Sequence, residues 1–212
     1  MFDNKALIRR FAEEKEIPYL IHFTRVSNLE SIVRYGLVSR DKIDQGLYQG
    51  MVNDNERLDY RRDTVSVSIA HPNDKMFYKY RNIDSEWCVL GIDVKVLWEQ
   101  DCLFFKHNAA DASVSHLPEQ ALRGVGAFQS MYDEFPWLSS RMEQGLLGCD
   151  PTDVQAEVLV KNYIPTNSIF GIAVSNRQVK KNIAHFTNHL KVAINEPNKI
   201  LYASRSYRRK WQ

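Results

Sequence analysis

Glu157 stands in the run Gln155, Ala156, Glu157, Val158, Leu159 and Val160, a carboxylate framed by apolar and β-branched residues. Strand side chains alternate, so Val154, Ala156, Val158 and Val160 share one face and Gln155, Glu157 and Leu159 the other. A carboxylate in such a setting is costly to bury unless something uses it. The alternative is a glutamate on an edge strand, pointing at water. Turn formers lead into the run, from Gly145 through Asp150, Pro151 and Thr152, and a carboxylate just after a long loop is well placed in a cleft. A second group lies upstream, where a strand delivers His22 and Thr24 to one face. A tight turn with Asn28 follows, then a helix start of capping-box form, Ser27 at the N-cap and Glu30 three residues on. An imidazole, a hydroxyl and backbone N–H groups would meet there. Helix N-termini attract anionic oxygens, and an imidazole hydrogen-bonds ribose hydroxyls, so the corner would hold the diphosphate and ribose of a nucleotide. An ordinary N-cap beside a satisfied histidine is the alternative.

The elements that must position these groups follow from periodicity. Residues 3–16 form a helix with Leu7, Ile8 and Phe11 on its apolar stripe, ended by Pro18. Residues 19–23 form a strand, and the helix after Ser27 buries Leu29, Ile32 and Val33 and closes at Gly36. Residues 39–63 are polar and turn-rich, a long surface loop of the kind that is functional or disordered. Strands are expected over 65–70, 87–92, 102–105, 155–160 and 169–174. Helices are expected over 73–81, 94–98, 122–131 and 176–189, the last capped by Ser175. Residues 133–153 are irregular. Strands and helices mix without regular βαβ alternation, which predicts an α+β domain with mainly antiparallel pairing.

The chain has 212 residues, 44% hydrophobic and 25% charged, which fits one globular domain over 1–212. No apolar run approaches a membrane span and the N-terminus lacks a signal-peptide core, so a cytoplasmic protein with no membrane partner is expected. Cys88, Cys102 and Cys149 have no metal-type spacing and read as reduced, structural thiols. A net charge of +2 gives little global attraction to nucleic acid, so such binding would rest on local patches.

Four segments resemble, in order, those of the DarT-like ADP-ribosyltransferases, bacterial toxins that modify nucleic-acid bases using NAD. The pattern His-Phe-Thr-x-x-x-Asn-Leu-x-x-Ile-x-x-x-Gly-Leu over 22–37 looks like the family's opening motif. Asn53, Asp54, Arg57, Leu58 and Asp59 resemble its arginine segment, residues 72–81 its central block, and residues 155–160 its catalytic-glutamate strand. The resemblance runs over 19–174. It implies an ADP-ribosyltransferase-like fold, a split, twisted, mainly antiparallel β-core with surrounding helices and NAD in the cleft. It also implies a toxin whose cognate antitoxin, such as an ADP-ribosyl-hydrolase, reverses or blocks the modification.

On this resemblance Glu157 is the catalytic carboxylate. Breaking the nicotinamide–ribose bond builds positive charge on the sugar, as in glycoside hydrolysis, and a nearby carboxylate stabilises it. His22, Phe23, Thr24, Asn28 and Ser31 would hold NAD, with His22 on the adenosine-side ribose. The resemblance gives Arg57 a catalytic role too, binding the diphosphate or acting on the acceptor base; a solvated loop charge is its alternative, and Arg61, Arg62 and Arg81 compete with it. No metal is expected. Gln155, Tyr80, Arg81, Trp137 and Arg141 would meet the acceptor, since exposed aromatics with an arginine suit stacking on an unpaired base. Phe135 and Trp137 would otherwise anchor the loop. The basic run over 202–212 would track a phosphate backbone or stay a solvated end.

A base inside a duplex is out of reach unless flipped, so single-stranded DNA is the expected partner, with thymine or guanine modified. RNA or a protein side chain is the alternative acceptor; the Gln155 spacing suits protein-directed enzymes. An RNA-repair phosphotransferase and a catalytically silent nucleic-acid-binding module are the remaining readings.

Overall fold

Two short registers decide the architecture. Strand β1 (Leu20–Arg25) pairs with β4 (Trp87–Ile92) along its whole length but with β3 (Thr64–Ile69) only at Leu20↔Ile69 and Ile21↔Ser68. The sheet therefore stays continuous at one end of β1 and opens at the other. The computed structural model describes residues 3–46, 61–81, 86–195 and 200–210. Among these the helices are α1 (Asn4–Glu14), α2 (Leu29–Tyr35), α3 (Arg40–Asp44), α4 (Asp74–Arg81), α5 (Val96–Glu99), α6 (Ala112–Ser115), α7 (Gly124–Ser130), α8 (Arg177–Ile183) and α9 (Arg205–Lys210). The remaining strands are β2 (Leu37–Val38), β5 (Cys102–Phe105), β6 (Glu157–Lys161), β7 (Tyr163–Ile164), β8 (Ile169–Val174) and β9 (Lys191–Ile194). Seven strands form one sheet in the order β5-β6-β3-β1-β4-β8-β9, and β2 pairs with β7 separately. Every pairing is antiparallel except β8 with β9, as expected for an α+β chain.

The expected elements recur with shifted ends. Asp3 caps α1, its side chain accepting from the Lys5 N–H at 3.0 Å. Gly36 closes α2 at φ +85°, a conformation that favours glycine, and a Cβ there would lie 2.3 Å from the Ile164 carbonyl oxygen. Three local expectations are corrected. The capping box at Ser27 does not form: a 3₁₀ turn over Val26–Asn28 runs straight into α2, and no side chain caps it. Asn176, not Ser175, caps α8 by accepting from the Val179 N–H, because its amide reaches three residues ahead. Part of the expected loop over 39–63 is helical, as α3, which Arg40 and Asp44 brace one turn apart. Strand β9 was not anticipated; Lys191, Val192, Ala193 and Ile194 lack an alternating pattern and are partly exposed at the sheet edge.

The sheet's two faces are covered unequally. On one, Leu20, Val65, Val67, Leu90, Val158 and Val160 share a single core with residues of α1, α2, α5, α7 and α8. The other carries two separate apolar clusters, one around Ile21, Phe77, Trp87, Val89 and Tyr202, one around Leu103, Phe105, Val114, Leu122 and Leu159. Side chains of directly paired strand residues project to the same side. Ser68 beside Ile21, Ser66 beside Leu159 and Glu157 beside Phe105 thus form a polar seam between the two clusters. Among the described residues no helix is long and apolar enough to cross a membrane. Cys88 and Cys102 are buried free thiols, and burial pushes both pKa values up.

Candidate active site

Glu157 opens β6, which lies between β3 and β5 rather than at an edge, and only 7% of the residue is exposed. A carboxylate so enclosed must be hydrogen-bonded. One bond comes from the Ser66 hydroxyl, which donates to Oε2 at 2.8 Å. The water-facing edge glutamate is therefore excluded. The alternation expected around it holds, with Ala156, Val158 and Val160 in the main core and Leu159 in the opposite cluster. Gln155 departs from it: it lies in a turn ahead of β6, its N–H donating to Asp153 Oδ1 at 2.8 Å, so strand alternation does not place it on the carboxylate's face.

His22 sits where β1 and β3 part. Were the ladder continued, it would face Val67; instead its Nδ1 lies 2.8 Å from the Ser66 carbonyl oxygen. That oxygen only accepts, so Nδ1 carries the proton and a neutral ring has its acceptor at Nε2. Ser66 therefore bridges the site: its carbonyl fixes His22 and its hydroxyl fixes Glu157. Sequence reasoning missed this residue. The signal was present in the alternation of Ser66 and Ser68 with valines, which marks a strand face that is not apolar.

Thr24 and Asn28 are buried and joined, the Asn28 amide donating to Thr24 Oγ1 at 3.0 Å. This bond ties the end of β1 to the turn that starts α2. Ser31 is half-buried in the first turns of α2. Phe23, on the other face of β1 from His22, stacks on Phe77 with centroids 4.9 Å apart. Arg57 lies outside the described residues. Of its competitors, Arg62 pairs with Asp41 and Asp44, and Arg81 donates to the Tyr202 carbonyl at 2.6 Å. Arg61 lies over the Phe105 ring at 5.4 Å, beside the residue paired with Glu157, and donates to the Leu117 carbonyl at 2.7 Å.

On the expected acceptor side, Trp137 is 58% exposed and stacks on buried Phe135, centroids 5.0 Å apart and planes 11° from parallel. Phe135 anchors and Trp137 presents an open ring face. Arg141 turns inward: its guanidinium donates to the carbonyls of Asp150 and Leu147 and to Thr152 Oγ1, and lies over Tyr132. Tyr80 stacks on Trp87. His107 Nδ1 is hydrogen-bonded to Asp153, which is buried just ahead of β6. Of the basic run expected either to track a phosphate backbone or to stay a solvated end, the described residues 202–210 are folded onto the protein, with Tyr202 and Arg205 both 5% exposed. Its partners are distant in sequence, so no local pattern announced them. Among the described residues no group of three or more His, Cys, Asp or Glu side chains is arranged to hold a metal ion.

Solved structures share this fold. Thermosipho africanus DarTG in complex with ADP-ribose matches with a TM-score of 0.61 at 15% identity, over 84% of this chain and 50% of that one. The chain thus spans half the length of that relative. Thermus sp. 2.9 DarT in complex with NAD+ matches with a TM-score of 0.55 at 16% identity, over 85% of this chain and 96% of that one. The same Thermus protein in complex with ADP-ribosylated ssDNA gives 0.54 at 17% identity, over 85% and 95%. Comparison with curated proteins returned no match. A sheet that splits at β1 and β3, with an enclosed glutamate tied through one serine to a histidine at the split, is built on the fold of these ADP-ribosyltransferases. The family model described as "DarT: ssDNA thymidine ADP-ribosyltransferase, DarT" matches residues 21–200, and the chain belongs to that family. The acceptor named in the family's description is thymidine in single-stranded DNA.

Proposed function

We propose that residues 1–212 form one catalytic domain that transfers ADP-ribose from NAD to thymidine in single-stranded DNA and releases nicotinamide. The Ser66 bridge carries this reading, because it sets a ribose-binding imidazole and an enclosed carboxylate on one residue. As the bond from ribose C1′ to the nicotinamide nitrogen breaks, its electron pair leaves with nicotinamide and positive charge grows on the sugar. Glu157 stabilises that charge electrostatically, without forming a covalent bond. The thymine then bonds to C1′ and loses a proton. The developing charge is positive, so a carboxylate and not a metal cation suits it, and NAD serves as co-substrate without a metal.

His22 holds the adenosine-side ribose, and Phe23, Thr24, Asn28 and Ser31 shape the pocket behind it. Arg57 binds the diphosphate or acts on the acceptor. Trp137 offers its open face to an unpaired base, with Gln155, Tyr80 and Arg81 as further contacts. Arg141 serves the acceptor by shaping the loop through its carbonyl bonds. The reaction belongs in the cytoplasm, where NAD and single-stranded DNA occur together. The likeness to half of a DarTG chain supports a toxin role, with a DarG-type antitoxin, an ADP-ribosyl-hydrolase, as partner.

The test is incubation with labelled NAD and a thymidine-containing single-stranded oligonucleotide, followed by mass spectrometry of the digested nucleosides. Modified thymidine from wild-type protein and none from Glu157→Ala, with NAD affinity retained, is expected. Normal turnover by the variant refutes the assignment of Glu157, and label on protein alone refutes the acceptor.

A further inference from the structure

Helix α9 carries Arg205, Arg208 and Arg209, and two of them grip the same three-residue stretch. The Arg205 guanidinium donates to the carbonyls of Pro151 and Thr152 at 2.7 and 3.0 Å. Arg209 makes a two-pronged pair with Asp150, Nε to Oδ2 at 2.7 Å and Nη2 to Oδ1 at 2.6 Å, and their side chains are 2% and 0% exposed. Such fork-on-carboxylate pairs fix orientation as well as distance. Burial alone would push the Asp150 carboxyl up and the Arg209 guanidinium down; their mutual hydrogen bonds reverse both, leaving Asp150 below and Arg209 above its ordinary value. The helix is itself tied down. The Arg205 N–H donates to Asp74 of α4 at 2.5 Å, and Tyr202, just ahead of α9, bonds to the Trp87 carbonyl at 2.7 Å.

The gripped stretch has a defined place. It follows the irregular segment bearing Trp137, and Glu157 opens β6 only four residues after Asp153. Asp150, Thr152 and Asp153 are almost wholly buried, unusual for three polar residues within four positions of a connecting loop. Arg141 approaches the same stretch from within the loop. A loop that only closed the fold would not need two arginines from a helix about 55 residues downstream, the separation being 54 for Arg205 to Pro151.

We propose that Arg205 and Arg209 are positioning residues for the acceptor: α9 clasps residues 150–152 so that the Trp137 segment presents the DNA base at a fixed height above Glu157. This deepens, and rests on, the transferase reading given above. The guanidinium groups of Arg205 and Arg209 are thus turned inward and act through the loop instead of tracking a phosphate backbone.

Fluorescence anisotropy of a labelled thymidine oligonucleotide, calorimetry of NAD binding and steady-state transfer separate the possibilities for wild type, Arg209→Ala, Arg209→Lys and Arg205→Lys. Loss of alignment without loss of chemistry is expected to weaken oligonucleotide affinity and raise its KM by roughly ten- to a hundredfold in Arg209→Ala. Arg209→Lys, which keeps the charge but not the fork, should fall between, with NAD affinity unchanged in all. A lower melting temperature with unchanged oligonucleotide affinity would reduce the clasp to a strut and overturn the proposal. Parallel weakening of NAD and oligonucleotide would also overturn it. If Arg209→Ala does not fold, the two lysine variants carry the same comparison. Anisotropy reads the clasp without turnover, so absence of transfer by wild-type protein would sink only the transferase reading.

Discussion

Replacing Ser66 by alanine separates the two halves of the site, because the residue serves them with different atoms. Its hydroxyl donates to Glu157 Oε2 at 2.8 Å, whereas its backbone carbonyl accepts from His22 Nδ1 at 2.8 Å. Ser66→Ala removes the first bond and keeps the second. A hydrogen bond to a charged group contributes about 1.5–3 kcal/mol. At about 1.4 kcal/mol per decade, a loss felt at the transition state lowers kcat roughly 10- to 100-fold. The carboxylate stays enclosed at 7% exposure, so water does not simply replace the lost donor. NAD affinity should change by less than about threefold, since the His22 anchor is untouched. Ser66→Thr keeps a hydroxyl on a residue that strands accept readily and should restore part of the rate. Single-turnover transfer from labelled NAD, with calorimetry alongside, makes the measurement. An unchanged kcat would show that the hydroxyl does not hold Glu157 in its working position. A collapse of NAD affinity together with kcat would show that the two halves are not separable.

Two further predictions concern stability. His71 is 2% exposed, and burial, then the nearby Arg208, Arg205 and Arg209, push its pKa down to about 3. The folded ring stays neutral while the unfolded ring takes a proton below about 6.5, so stability present at neutral pH is lost as pH falls. Between pH 7.5 and pH 5 wild type should lose about 2 kcal/mol more than His71→Gln in urea unfolding; equal losses would place the histidine in water. Gly36→Ala meets both positive φ and the Ile164 carbonyl, whereas Gly145→Ala meets positive φ of +64° with nothing within 4 Å. The first should cost about 2–5 kcal/mol and the second about 1, and similar costs would show that the close approach to β7 is not rigid.

Much of the local structure was legible because its causes are local. The alternation of Ala156, Val158 and Val160 against Glu157 and Leu159 assigned faces that the two-sided packing then used. Gly36 marked the end of α2 since few other residues adopt its φ. The spacing of His22, Thr24 and Asn28 placed them correctly on one strand and turn, although the cap at Ser27 was misread: Asn28 turned its amide back to Thr24 instead.

Non-local features were not legible. Whether Glu157 faces water or a cleft depends on β6 lying inside the sheet, and sheet order is set by residues far apart in the chain. Ser66 and Glu157 are 91 positions apart, and nothing near either one signals the other. The run of arginines on α9 looks the same in sequence whether solvated or paired, because its carboxylate and carbonyl partners lie in the loop over 150–152. Periodicity, turn chemistry and motif order belong to the sequence, since each is written within a few residues. The enclosure of the carboxylate, the parting of β1 from β3 and the inward turn of the basic helix belong to tertiary structure, because burial and pairing arise only when distant segments exclude water together.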